Sequence, residues 1–156
     1  MTGLVVRPIA ATDREQWSRL YRGYRDFYAK PHRDEALDTV WGWLLDPQHE
    51  TRGLIAESED DLVGLAHYRS FARPLDASRG LFLDDLFTSP GARGTGVGTA
   101  LLARLAEIAA LDGASIVRWI TAETNETARR LYDQVATRTA WVTYDLAPGD
   151  RAIGRS

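Results

Sequence analysis

Seven consecutive residues, Arg93-Gly94-Thr95-Gly96-Val97-Gly98-Thr99, carry the most specific chemical pattern in this sequence. Glycines alternate here between a short apolar run and an amphipathic stretch. Glycine lets backbone N–H groups turn inward and approach a ligand closely. A helix starting at this point adds unpaired N–H groups and the positive end of its dipole. Together these features suit a pyrophosphate. A dinucleotide fingerprint needs glycines at G-x-G-x-x-G, and the third position falls on Thr99. The ATP/GTP loop needs Gly-Lys-Ser/Thr, and Gly96 is followed by Val97. What remains is Arg-x-x-Gly-x-Gly opening a helix. The same glycines would also serve a plain tight turn between strand and helix.

Two flanking segments hold further polar groups. Upstream stands Leu83-Asp84-Asp85-Leu86-Phe87-Thr88, and downstream Thr124-Asn125-Glu126-Thr127-Ala128-Arg129-Arg130-Leu131-Tyr132. Asn125 and Tyr132 are two helical turns apart and would share one face. Read alone, Tyr132 is a core tyrosine before it is a catalytic one. The chain has no cysteine, which excludes a disulfide framework, a thiolate metal site and a Cys nucleophile. No Ser or Thr stands out beside a base that would activate it. His32, His49 and His67 lack metal-ligand spacing and are read as ordinary residues, so no metal is expected.

The elements that must position these groups fit one domain. The chain has 156 residues, 44% hydrophobic and 26% charged, with a net charge of -3. That charge gives no general drive toward nucleic acid or an anionic membrane. The first residues lack a signal-peptide core, and no stretch approaches a membrane span, so a cytoplasmic protein is expected.

Strand 1 is expected over residues 4–9. Trp17, Leu20, Tyr21, Tyr24, Phe27 and Tyr28 mark one face of a helix, read as core rather than a cage for a cation. A second helix covers 34–45. Residues 53–56 and 62–68 read as a hairpin, 73–80 as a loop and 81–87 as a strand. A helix over 99–111, a strand over 116–121, a helix over 125–135 and a last strand over 140–146 follow. This order predicts an α/β (α+β) fold: a single mixed sheet flanked by about four helices. One domain is expected over 1–147, with a polar tail over 148–156.

The combination of Leu-Asp-Asp-Leu-Phe, Arg-Gly-x-Gly-x-Gly and Asn-Glu-Thr-Ala-Arg-Arg-Leu-Tyr resembles the GCN5-related N-acetyltransferase (GNAT) superfamily. Its motifs are most similar to the diamine (spermidine/spermine) and yeast Hpa-type acetyltransferases. The resemblance spans about residues 81–146. It implies the GNAT fold, with a mostly antiparallel sheet, and acetyl-CoA as cosubstrate with an amine acceptor. Arg93, Gly94, Thr95, Gly96, Val97, Gly98 and Thr99 would hold the CoA pyrophosphate. The backbone of Leu86, Phe87 and Thr88 would pair with the pantetheine arm, and Asn125 would bond on the CoA side. The strand before the cradle would part from its parallel neighbour, with a bulge or early end of pairing near residues 84–86. The sequence departs from the family in two places: Asp84 stands where the diamine enzymes have Glu, and no Gly-Phe pair follows Tyr132.

Direct transfer from acetyl-CoA to an amine needs a base and an acid. An alkyl amine with a pKa of about 10.4 costs about 4 to 5 kcal/mol to deprotonate at pH 7. Asp84 is the candidate base. On a regular strand Asp84 and Asp85 would face opposite sides, so only one would reach the acceptor. Tyr132 is the candidate acid for the departing thiolate. The favoured acceptor is a small polyamine or amino compound. A peptide or protein amine is the alternative, and a non-catalytic acyl-CoA sensor is the reading from another class. Members of this family often pair, and exposed final strands would allow a homodimer.

Overall fold

Alternating apolar residues in the first half of the chain build an antiparallel sheet, and each of its faces takes a different set of helices. A computed structural model describes residues 3–149. They form two compact units, one ending at Ala122 and one beginning at Glu123. The strands, all in the first unit, are β1 (Leu4–Pro8), β2 (Arg52–Ser58), β3 (Asp61–Arg73), β4 (Ser78–Thr88) and β5 (Val117–Arg118). They lie in the order β1-β2-β3-β4-β5, antiparallel except for the parallel pair β4–β5. The helices of this unit are α1 (Arg14–Phe27), α2 (Asp34–Leu45) and α3 (Val97–Leu111). The second unit holds α4 (Glu126–Val135).

One face of the sheet packs on α1 and α2. Trp17, Leu20, Leu37, Trp41 and Leu44 meet Ile55, Leu62, Leu65 and Phe87 in one apolar cluster. The opposite face takes α3, which buries Val97, Leu101, Leu105 and Ala109. Gly64 lies under its first turn. A Cβ there would stand 2.5 Å from Val97 Cγ1 and 3.2 Å from Leu101 Cδ1, so α3 rests directly on β3. That contact fixes where the N-terminus of α3 ends up.

Several boundaries differ from the sequence expectation. The hairpin strands are longer, and β3 with β4 absorbs half of the expected 73–80 loop. The strand expected over 116–121 is reduced to Val117–Arg118. No strand forms over 140–146, where Trp141, Val142, Tyr144 and Leu146 are exposed. Among the described residues the second unit contains no strand for that segment to pair with, and a lone extended segment has no ladder to hold it. The expected polar tail lies outside the described residues from position 150 on. No helix among the described residues is long and apolar enough to cross a membrane.

Candidate active site

Two irregularities of β4 shape the site. The first is a bulge. Tyr68 pairs with Leu83 and His67 with Asp85, so Asp84 is the extra residue. The second is an early parting. β5 pairs with β4 only at Leu81↔Val117 and Phe82↔Arg118, and beyond Phe82 that edge of β4 carries no ladder to β5. Bulge and parting fall where the sequence places them, within a residue or two.

The bulge changes where the two aspartates point. A one-residue slip moves the residues that follow to the other face. Asp85 thus joins His67, Leu65 and Phe87 on the α1 face. Asp84 meets Arg69, with Nε to Oδ2 at 3.2 Å, while Asp85 Oδ2 meets His67 Nδ1 at 2.8 Å. Arg69 and His67 are two residues apart on β3 and share a face. The expectation that Asp84 and Asp85 face opposite sides is therefore corrected: the bulge brings both to one side.

Their electrostatics diverge. Burial pushes the Asp84 carboxyl up and the charge of Asp85 adds to this, while Arg69 pulls it back; the net shift is upward. Burial also pushes Asp85 up, but hydrogen bonds from His67 and Tyr21 outweigh it and hold the carboxyl below its usual range. Tyr21 Oη donates to Asp85 Oδ2 at 3.0 Å. Trp17 Nε1 donates to His67 Nε2 at 2.9 Å, so a polar chain runs from α1 through β3 to β4. His67, only 1% exposed, is a central member of this chain and not an ordinary residue. A histidine between Ala66 and Tyr68 on a strand whose other face is already apolar was the available signal, because a buried imidazole requires partners.

The glycine turn is open. Gly94 and Gly96 adopt left-handed φ values of 78° and 90°, which strain any residue with a Cβ. A Cβ at either would meet nothing within 4 Å, so the turn is not folded shut against the core. Gly96 is the N-cap of α3, and the Ala100 N–H is the one that returns to its carbonyl at 3.0 Å. The amides of Val97, Gly98 and Thr99 precede that bond and lie in the helix's first turn. Arg93 is exposed; its Nε donates to the Thr88 carbonyl at 3.3 Å and its guanidinium lies over the Phe87 ring. Thr95 Oγ1 bonds to the Ala92 carbonyl. Beside this turn a groove of about 570 Å³ is lined by Leu20, Gly23, Phe27, Phe87, Ser89 and Arg93 among others. An exposed turn with left-handed glycines, free amides and an adjacent arginine fits a diphosphate.

In the second unit Asn125 caps α4, its Oδ1 accepting from the Ala128 N–H at 3.3 Å. Tyr132 sits two turns along the same helix and is partly buried. Arg129 donates to the Glu123 carbonyl at 2.7 Å. Among the described residues no group of three or more His, Cys, Asp or Glu could hold a metal ion.

Known proteins resemble this chain in sequence and in fold. The D-amino-acid N-acetyltransferase HPA3 of Saccharomyces cerevisiae is 29% identical over 143 residues, covering 90% of this chain and 89% of its own length. The uncharacterized N-acetyltransferase YhfO of Bacillus subtilis is 29% identical over 129 residues, 83% of this chain and 86% of that protein. In structure, the aminoglycoside N-acetyltransferase AAC(6')-Iy in complex with CoA superposes with a TM-score of 0.80 at 20% identity, over 92% of this chain and 94% of that one. The model of the acetyltransferase (GNAT) family matches residues 17–136, most of the chain. The chain therefore belongs to the GNAT family and is an N-acetyltransferase.

Proposed function

We propose that this enzyme transfers acetyl from acetyl-CoA directly to a primary amine of a small molecule, a polyamine or an amino compound. The observation that carries this reading is the parting of β4 from β5 beyond Phe82, which leaves backbone free beside an open glycine turn. The backbone of Leu86, Phe87 and Thr88 pairs with the pantetheine arm as an added strand does, and an N–H there polarises the thioester carbonyl. The amides from Gly94 to Thr99, with Arg93, hold the diphosphate. Asn125 spends its carbonyl on capping α4 and keeps its amide N–H groups for the CoA side.

Asp84 accepts the ammonium proton, directly or through water. An upward shift makes it a better acceptor than an ordinary aspartate. The freed nitrogen attacks the carbonyl carbon, the C–N bond forms, the C–S bond breaks with its electron pair passing to sulfur, and the nitrogen releases its second proton to water, from which Tyr132 is later reprotonated. Tyr132 donates the proton that sulfur takes. The names of the yeast and aminoglycoside enzymes support a small amine acceptor.

The test follows thiol release from acetyl-CoA across polyamines, D- and L-amino acids, aminoglycosides and peptides. Release with small amines and about 100-fold less in Asp84→Asn is expected. Release only with peptides would move the acceptor to a polypeptide amine.

A further inference from the structure

The hydrogen-bonded chain from Trp17 to Asp85 is costly and has no evident purpose in packing. His67 is buried beside Leu65 and Ala66 on a strand whose neighbours form the core. An apolar side chain there would avoid desolvating an imidazole, which costs about 1–3 kcal/mol wherever a partner is missing. The partners are all present. The indole N–H can only donate, so His67 Nε2 accepts, and the proton of the neutral ring lies on Nδ1, aimed at Asp85. Tyr21 adds a hydroxyl donor from α1. Asp85 is thus held by groups from two different elements.

We propose that Trp17 and His67 are positioning residues for amine deprotonation: they clamp Asp85 as a fixed anion at the bulge, and its charge makes the neighbouring Asp84 a stronger proton acceptor. The inference rests on the assignment of Asp84 as the base. Each link is on one side of the sheet. Trp17 fixes the ring of His67, and His67 with Tyr21 fixes the carboxylate. The bulge sets Asp84 beside it without an intervening residue. The other titratable and charged groups facing the pair are Tyr21, Tyr24 and Arg25 from α1, His67 and Arg69 from β3. Arg69 opposes the effect by pairing with Asp84. Burial of Asp84 outweighs Arg69, and the Asp85 charge adds to burial as a smaller contribution of the same sign. When the acceptor's ammonium arrives, its N–H bond breaks, an O–H bond forms on Asp84, and the proton later passes to solvent.

The test is the titration of the Asp84 carboxyl by carbon NMR on aspartate-labelled protein, with the signal assigned through Asp84→Asn. In Asp85→Asn the midpoint of Asp84 moves to lower pH, because the repelling charge is gone. In His67→Leu it moves the same way by a smaller amount. Asp85 then loses a donor, binds protons more readily and carries less charge while Asp84 titrates, so the Asp84 carboxyl feels less repulsion. His67→Gln, which keeps an accepting oxygen and a donating N–H, returns the midpoint toward wild type. Tyr21→Phe, a milder change in a partly buried place, repeats the fall and replaces His67→Leu if that variant does not fold. An unmoved midpoint in Asp85→Asn, or a midpoint that does not fall in the donor variants, overturns the proposal. The base assignment is judged separately. If Asp84→Asn keeps wild-type thiol release while the midpoints shift as stated, the clamp stands and the base lies elsewhere.

Discussion

Adjacent aspartates at the β4 bulge receive opposite treatment from their surroundings. Asp84 has one partly exposed arginine and a raised proton affinity, whereas Asp85 has two donors, His67 and Tyr21, and a lowered one. In the proposed mechanism two identical residues thereby take two roles, a proton acceptor and a standing charge. At the other end of the reaction, Tyr132→Phe should lower turnover at least tenfold, the lower part of what a positioned acid contributes, while acetyl-CoA affinity by calorimetry stays within about twofold. Unchanged turnover would remove Tyr132 from the acid role. The letters of the sequence reveal that Asp84 and Asp85 stand before the cradle. They do not reveal which side each faces, because that depends on one unpaired residue in a register set by β3. His67 is invisible for a related reason: its partners lie about 50 residues upstream and 18 downstream, and no local pattern links them.

At the scale of elements, the site depends on how α3 meets the sheet. Gly96→Asp places a side chain and a negative charge at a left-handed N-cap whose Cβ direction is open. The side chain has room, but the φ of 90° strains it, so stability by urea unfolding should fall by about 1–2 kcal/mol. In the folded protein acetyl-CoA affinity should weaken at least tenfold. Wild-type affinity would contradict the diphosphate assignment. Gly64→Val is the converse. Its Cβ would collide with Val97 and lift α3 from β3, costing about 1–3 kcal/mol by overpacking. Urea unfolding measures that cost, and affinity should suffer with it because the cradle moves. The helices were legible because apolar spacing announces them, as Trp17, Leu20 and Tyr24 do for α1. The glycine turn was legible because few other structures need that pattern. Strand ends were not. The short β5 and the unpaired 140–146 segment have strand-like composition, but a strand exists only where a neighbour supplies a ladder.

At the scale of the whole molecule, two depressed carboxyls tie stability to pH. Asp13 is 6% exposed and sits where β1, the turn before α1 and β2 converge. It accepts both terminal nitrogens of Arg7 at 2.9 Å and the Ala10 N–H at 2.7 Å, while Arg7 Nε reaches Glu57 at 2.9 Å. The bonds from Arg7 hold the Asp13 carboxyl well below the usual range despite its burial. A carboxyl depressed in the folded state stabilises the fold at any pH above its unfolded value of about 3.9, and loses that contribution as pH falls through its folded value. Asp85 adds a loss of the same sign. Asp84 runs in reverse: its raised carboxyl opposes folding once it ionises, so Asp84→Asn should be at least as stable as wild type at pH 7 although it loses turnover. Stability should therefore stay level down to about pH 4 and drop below it. Asp13→Asn should cost about 1–3 kcal/mol at pH 7, since it leaves Arg7 with only Glu57, and the deficit should shrink toward zero in acid as wild-type Asp13 is protonated too. Urea unfolding of both proteins from pH 7 to pH 2 measures the two curves. Curves that remain parallel across that range would mean that the Arg7–Asp13 pair is not a source of the acid sensitivity.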